Sequence, residues 1–276
     1  MLLEEAVLLA TIGRQLVYHV CAPEEIMEEL ACRLYLDYDV QAITLGGLDR
    51  NGNDAVNDLS YIILEATRDL GIVRDLSNLQ RQIAHNTKRL GVLKADSAKE
   101  TYETLNHDVK VVTHKARLTS ENIKDIIKDY DIVVDGSDNF PTRYLVNDAC
   151  VMLKKKLISA AVFRFEGQVM SIYPGEGPCY RCLFEVPPPP GMVPSCQEAG
   201  ILGVVTGVIG TIQATEVIKA ILGIGDPLRG KLLLWNALEM SFRTVKVPRN
   251  HECPVCGDKP TITELIDYEW FCSMSH

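Results

Sequence analysis

The chain has 276 residues, 47% of them hydrophobic, and a formal net charge of −9. That is ample for a large core in one big domain or two modest ones, and the acidic balance speaks against a nucleic-acid binder, because phosphate contacts want a basic face. No apolar run approaches the roughly 20 residues of a membrane span, and the N-terminus "MLLEEAVLLATIGRQ" has acids where a secretory signal carries Lys or Arg, so a cytoplasmic protein is expected. Nine cysteines in that compartment read as free thiols, metal ligands or catalysts before disulfides.

In chain order, "DLSNLQRQIAHNTKRLGVLKADSAKE" is polar and basic and runs into a helix at "ADSAKETYETL". "DVKVVTHKARL" alternates like a strand. In "SENIKDIIKDY", Ile123, Ile126 and Ile127 share one helical face, with Ser120 placed to cap it. "DIVVDGSDN" predicts a buried strand over Ile132–Val134 ending in a polar loop. "PTRYLVNDACVML" follows as a helix with Pro141 near its first turn, and "KLISAAVF" and "EGQVMSIYP" as two more strands. "GILGVVTGVIGTIQATEVIKAILG" is apolar almost all round, which predicts a buried helix ended by Gly223. "GKLLLWNALEMSFRTVKV" predicts a hairpin. Strands alternating with helices argue for an α/β sheet with parallel strands.

Two CxxC pairs stand out: Cys179 and Cys182 in "GPCYRCLFEVPPPPG", and Cys253 and Cys256 in "HECPVCGDKP". They lie about seventy residues apart, wider than a compact zinc finger. Together they supply four thiolates, the donor set of a structural tetrahedral zinc, and Pro254 and Gly257 suit the tight turn that aims both sulfurs at one ion. A redox reading of "CYRC" is weaker: that motif should open a helix, and the prolines Pro187 to Pro190 that follow forbid one. Unrelated thiols in two loops are the plain alternative.

Ligands of open α/β sheets bind beyond the carboxyl ends of the strands. Asp138 lies there, just past Val134, and an acid in that place holds Mg²⁺ with substrate phosphates. The alternative is a loop aspartate capping the next helix, work that Asn139 would share. Arg81, Lys88, Arg89 and Lys94 are cations suited to a phosphoryl-type transition state, or simply a solvated basic loop.

The segments "DLSNLQRQIAH", "GVLKADSA", "VVDGSDNFPTRYLVNDAC", "FRFEGQV", "CYRCLF", "SCQEAGILG", "GVIGTIQATEVIK" and "CPVCG" together resemble the ThiF/MoeB/HesA family, in order from about residue 75 to 257. Residues 1–74 match poorly, and residues 1–276 are read as a single adenylation domain. The resemblance implies a Rossmann-like α/β domain with a largely parallel sheet, C-terminal antiparallel strands and a four-cysteine zinc site, usually in a homodimer. It implies ATP and Mg²⁺ as cofactors beside structural Zn²⁺. Its reaction is adenylation of the C-terminal glycine of a small ubiquitin-like sulfur carrier ending in Gly-Gly, for thiamine, molybdenum-cofactor or related sulfur transfer. On this sequence, Asn78 and Arg81 would contact the nucleotide, Lys94 the phosphates, and Asp138 the Mg²⁺. Arg14, in "GRQL", would reach the phosphates of the partner subunit. Cys179, Cys182, Cys253 and Cys256 match the zinc ligands. Cys196, in "PSCQEAG", matches a thiol that some members use to take the acyl group or sulfur, with a buried loop cysteine as the plain reading; a position before a helix would favour its thiolate. The short tail after "CPVCG" leaves no room for a rhodanese-like domain, so sulfur is expected from a separate sulfurtransferase or cysteine desulfurase. The related tRNA-modifying dehydratase branch fits less well, given the paired knuckles and the acidic charge.

The resemblance breaks at the phosphate loop. The aligned stretch is "AITLGGLDRNG": Gly46 and Gly47 fit, but Thr44 and Asp49 stand where glycines belong. Thr44 asks a Cβ to fit a tight turn, and Asp49 sets a carboxylate beside a triphosphate. The acid expected to hold the ribose is replaced in register by Leu70 and Ile72. Three readings stay open: a diverged binding-only protein, a rebuilt loop that still binds ATP, or residues before about Asp75 that a frameshift or a guessed sequence has put there.

Overall fold

The computed structural model describes the strand backbones of residues 6–10, 16–20, 41–44 and 60–64, then residues 73–273 except 74–78, 80, 81, 83, 108, 190, 191 and 193–201. β1 (Ala6–Ala10) and β2 (Leu16–Val20) form an antiparallel hairpin. The other strands make one sheet: β3 (Gln41–Thr44), β4 (Ser60–Leu64), β5 (Lys110–Thr113), β6 (Ile132–Asp135), β7 (Lys156–Phe163), β8 (Glu166–Ile172), β9 (Lys231–Asn236) and β10 (Ser241–Lys246), in the order β10-β9-β8-β7-β6-β4-β3-β5. The helices are α1 (Lys94–Leu105), α2 (Ile123–Ile127), α3 (Phe140–Leu153), α4 (Tyr180–Leu183), α5 (Gly203–Leu222) and α6 (Tyr268–Ser273).

The α/β class and the antiparallel C-terminal strands are as expected, but the sheet is mixed rather than largely parallel. Among the strands described, β4–β6 and β6–β7 pair in parallel. β7 to β10 are successive antiparallel neighbours; short turns join β7 to β8 and β9 to β10, which only antiparallel pairing allows, while the chain passes from β8 to β9 through α4 and α5. β3 runs antiparallel to both β4 and β5. β5 therefore points the same way as β4, β6 and β7, and their carboxyl ends share one edge.

Alternation along β6 assigns each face its layer. Ile132 and Val134 join Ala98 and Tyr102 of α1 and Val205, Ile209, Ala214 and Val217 of α5 on one side. Val133 joins Ile123 and Ile127 of α2 and Tyr144, Leu145 and Ala149 of α3 on the other. This is the period of two expected for a strand buried on both faces. α5 lies so close to β8 that a Cβ at Gly167 would stand 2.2 Å from Ile209.

Two sequence expectations need correction. α5 does have the length and apolar composition of a membrane span, but Gln213 and Glu216 lie in its buried stripe. Gln213 donates to the carbonyls of Asp135 (2.9 Å) and Ile158 (2.6 Å), and Glu216 accepts from Ser171 Oγ (2.6 Å) and Leu228 N (2.7 Å). It is a core helix, ended at Gly223 with φ +66°. Ser120 does not cap α2. The helix starts late, after Asn122, and Ser120 instead donates to the carbonyl of Ile266.

Candidate active site and metal centre

β6 ends in a buried carboxylate and opens into the loop that carries Asp138. Asp135 Oδ1 accepts from Ser137 N (2.9 Å) and Ser137 Oγ (2.6 Å), and Oδ2 from Ser159 Oγ (3.3 Å). Arg143, one turn into α3, donates to the carbonyls of Ser137 (2.5 Å) and Ala160 (2.8 Å). Asn139 is the N-cap of α3, accepting from Thr142 N at 3.0 Å. Asp138 is thus released from capping. It is exposed at the carboxyl edge of the sheet and accepts a long 3.4 Å bond from Asn139 Nδ2. A cleft of about 550 Å³ opens beside this turn, lined by Leu118, Asn139, Thr142, Leu145 and, on its far wall, Ile266 and Tyr268.

Lys94 opens α1 at the same edge. The ion pair of Asp96, in the first turn of α1, with Lys115, just past β5, spans 2.8 Å, and Lys99 donates to the carbonyl of Val111 at 2.9 Å. α1 therefore starts at the carboxyl end of β5. The Lys94 side chain is buried. Buried beside it, His85 shares a 2.9 Å hydrogen bond with Ser97 Oγ. Burial, then the charges of Lys94 and Arg89, lower the His85 pKa to about 3, which keeps the ring neutral. Arg89 is not a phosphate ligand in waiting. It donates to Thr101 Oγ1 (2.6 Å), the Ala84 carbonyl (3.2 Å) and Ser97, binding the segment before α1 onto the helix. Lys88 is an exposed residue of a short 3-10 turn, Thr87–Arg89.

Arg14, Gly46, Gly47, Asn78, Arg81 and Cys196 lie outside the described residues. The strand before the glycine pair is described, and its direction matters. Thr44, the last residue of β3, pairs with Ser60 and Lys110, the first residues of β4 and β5. Asp135 pairs with Leu64, the last residue of β4. β3 therefore ends at the sheet edge opposite Asp138.

The two CxxC pairs converge. The sulfurs of Cys179, Cys182, Cys253 and Cys256 all lie within 4.8 Å of one another, with 3.6 Å between Cys179 and Cys253 and 3.3 Å between Cys182 and Cys256. Zn–S bonds of ~2.3 Å in a tetrahedron put sulfurs ~3.8 Å apart, so the cage has the size and the soft donors for such an ion. Hydrogen bonding among the four thiols links their titrations: Cys182 and Cys253 are drawn down and Cys179 and Cys256 pushed up. Asn250 N donates to Cys182 Sγ at 3.4 Å and Cys256 N to Cys253 Sγ at 3.5 Å. Gly257 closes the second knuckle because a Cβ there would meet the carbonyl of Cys253 at 2.4 Å. The first pair does open a helix, contrary to expectation, but α4 is only one turn and stops before the prolines.

Three supporting groups escape a reading of the sequence. Tyr180 N donates to Asn147 Oδ1 (2.8 Å), Arg181 grips Asp148, and Arg143 braces the Asp138 loop. Adjacent Asn147 and Asp148 in the middle of an apolar helix are the available signal for the first two.

Residues 69–255 match the ThiF family. Residues 35–75 separately match a pyruvate formate lyase-like family. A sulfur carrier protein adenylyltransferase of Thermus thermophilus is 50% identical over 232 residues, covering 81% of this chain and 86% of that protein. The adenylyltransferase and sulfurtransferase MOCS3 of Aedes aegypti is 49% identical over 201 residues, covering 72% of this chain but 46% of that protein, so the chain spans about half the length of this second relative. Among solved structures, E. coli MccB with MccA-N7isoASN shares the fold at a TM-score of 0.61 and 22% identity, over 72% of this chain and 60% of the other. With residues 69–255 matched, from the basic segment into the second cysteine knuckle, the chain belongs to the ThiF family.

Proposed function

We infer that the protein adenylates the C-terminal carboxylate of a small sulfur-carrier protein with ATP; in support, its Thermus thermophilus relative is named a sulfur carrier protein adenylyltransferase and its Aedes aegypti relative an adenylyltransferase and sulfurtransferase. The observation that carries the reading is the common edge of Lys94 and Asp138, where an open α/β sheet binds its ligands. A carboxylate is a poor electrophile because oxide would have to leave. In the proposed reaction a carboxylate oxygen of the carrier attacks the α-phosphorus of ATP. The new O–P bond forms as the bond to the β-phosphate oxygen breaks, and pyrophosphate leaves with that electron pair. The product is an acyl-adenylate whose leaving group is AMP. The protein's task is to bring anions together and offset their charge.

In this reading Lys94, with Arg81 and Asn78, lies along the nucleotide. Asp138 would hold Mg²⁺, a hard cation suited to one carboxylate plus phosphates, which would neutralise charge building on the phosphates. Gly46 and Gly47, the cofactor-binding candidates of the sequence, lie outside the described residues; β3 before them ends on the edge away from Asp138 and the pair falls in the stretch with similarity to another family, so the reading does not rest on them. Zn²⁺ in the four-cysteine cage is structural, because four protein ligands leave no open position. A homodimer would bring Arg14 to the partner's nucleotide. Cys196 would take the acyl group or sulfur, and a separate sulfurtransferase or cysteine desulfurase would supply that sulfur in the cytoplasm.

The test is ATP–pyrophosphate exchange in the presence of small carriers ending in Gly-Gly. Exchange that requires such a carrier and is lost in Asp138→Ala supports the reading. Intact, zinc-loaded protein that gives no exchange with any of them refutes it.

A further inference from the structure

The turn between β6 and the N-cap of α3 is only three residues long, Gly136 to Asp138, yet its middle residue is held from two sides. The N–H and hydroxyl of Ser137 both go to the buried carboxylate of Asp135 (2.9 and 2.6 Å). Its carbonyl goes to Arg143, whose second nitrogen takes the carbonyl of Ala160 on the neighbouring strand (2.8 Å). Asp135 is tied in turn to Ser159 of β7, and its own carbonyl to Gln213 of α5. Every backbone group of Ser137 is thereby fixed to the sheet, to α3 or through the strand end to α5. Asp138 is the next residue and is itself exposed, with one long contact to Asn139. Nothing in its own side-chain contacts orients it as firmly as the peptide that precedes it.

We propose that Arg143 is a positioning residue: it fixes Asp138 for the cation by anchoring the carbonyl of Ser137, with Asp135 as the counter-anchor. The inference rests on the reading of Asp138 as the Mg²⁺ ligand. A carboxylate that meets a metal through one or two oxygens must be placed to a fraction of an ångström, and ligands of this kind depend on the groups behind them. The guanidinium is suited to the role because its planar fork spans two carbonyls, that of Ser137 in the turn and that of Ala160 on β7. A lysine reaches only one of them.

The experiment needs no turnover. Calorimetry gives the affinity for ATP with Mg²⁺ and for ATP with a chelator in the wild type, Arg143→Ala, Arg143→Lys, Asp138→Ala and the double variant Arg143→Ala/Asp138→Ala, all checked for native melting. The wild type is expected to gain at least tenfold in affinity from Mg²⁺. Asp138→Ala removes that gain, Arg143→Ala cuts it fivefold or more while metal-free ATP binds as before, and Arg143→Lys falls between. If Arg143→Ala does not fold, Arg143→Lys carries the comparison by itself. The double variant should lose no more than Asp138→Ala alone, since residues acting through one another are not additive. A Mg²⁺ gain that survives in Arg143→Ala, or losses that add in the double variant, would overturn the assignment while leaving the functional reading intact. A wild type with no Mg²⁺ gain would overturn both.

Discussion

Arg181 closes on Asp148 through its Nε (3.0 and 3.1 Å) and a terminal nitrogen (2.9 Å), with both side chains almost fully buried. Arg181 stands between two of the cage cysteines, Cys179 and Cys182, and Asp148 stands on α3, the helix that follows the turn carrying Asp138. The pair is therefore a bolt between the metal knuckle and α3. Its lone pairs and protons are met: Tyr268 Oη and Asn147 Nδ2 donate to Asp148 (both 2.8 Å), and Arg181 also reaches the carbonyl of Glu185 (3.3 Å). The rings of Tyr144 and Phe271 lie 4.7 and 4.6 Å from the guanidinium carbon.

Removing one partner of that pair leaves a buried charge without compensation. Arg181→Met should lower unfolding free energy by about 3–5 kcal/mol, and Arg181→Met with Asp148→Leu should recover most of it. Urea denaturation of the zinc-loaded variants checks this. A single variant within about 1 kcal/mol of wild type, the worth of an exposed pair, would show that the bolt contributes little.

The cysteine cage gives a second expectation. Purified protein should carry one zinc per chain by elemental analysis, and Cys253→Ser should carry none. Because Cys179, Cys253, Tyr180 and Val255 sit within the same apolar cluster as α3, metal loss should lower the melting temperature of the whole domain rather than fray one loop. A metal-free Cys253→Ser protein that melts as wild type would contradict a structural role.

His85 sets a pH dependence. Its folded-state pKa of about 3 lies below the ordinary 6.5, so the unfolded chain binds a proton that the folded chain refuses. Stability from this group is complete above about pH 6.5 and falls as pH drops toward 3, by up to about 1.4 kcal/mol per unit. His85→Gln should flatten the difference from wild type in that window. Lys94→Met removes the second-largest cause of the depression and should move the imidazole titration, followed by NMR, part of the way back up. No change in Lys94→Met would mean that the Lys94 charge contributes nothing and that burial, with Arg89, is responsible.

What the sequence can and cannot disclose follows from how local each feature is. The β6 strand, α3 with Pro141, α5 with Gly223 and the two cysteine knuckles are written in short patterns, and all are legible. So is the place of Asp138, since a strand end locates it. Ser120 misleads because its partner is Ile266, far along the chain. Arg89 reads as a phosphate-side cation because composition cannot tell a solvated arginine from one bound to Thr101 and Ala84. Arg143 escapes notice for the opposite reason: its two carbonyl partners become neighbours only when β6 and β7 pair. Mixed strand direction is likewise a property of pairing, which hydrophobic alternation does not encode.

The direction of β3 yields the last expectation. If residues 41–50 were a phosphate loop spoiled by two substitutions, then Thr44→Gly and Asp49→Gly together should repair it. They relieve a crowded turn and remove a carboxylate from beside a triphosphate, and ATP affinity should rise tenfold or more. The sheet argues otherwise. β3 is antiparallel to β4, Thr44 is level with Ser60 and Lys110, and the strand ends at the edge away from Lys94 and Asp138. The stretch also falls within the match to a pyruvate formate lyase-like family, residues 35–75, and before the ThiF match, which begins at residue 69. The double substitution should therefore leave ATP affinity within twofold of wild type by calorimetry, while Lys94→Ala weakens it strongly. A tenfold gain in the double variant would restore Gly46 and Gly47 to the site and reverse the assignment of that edge.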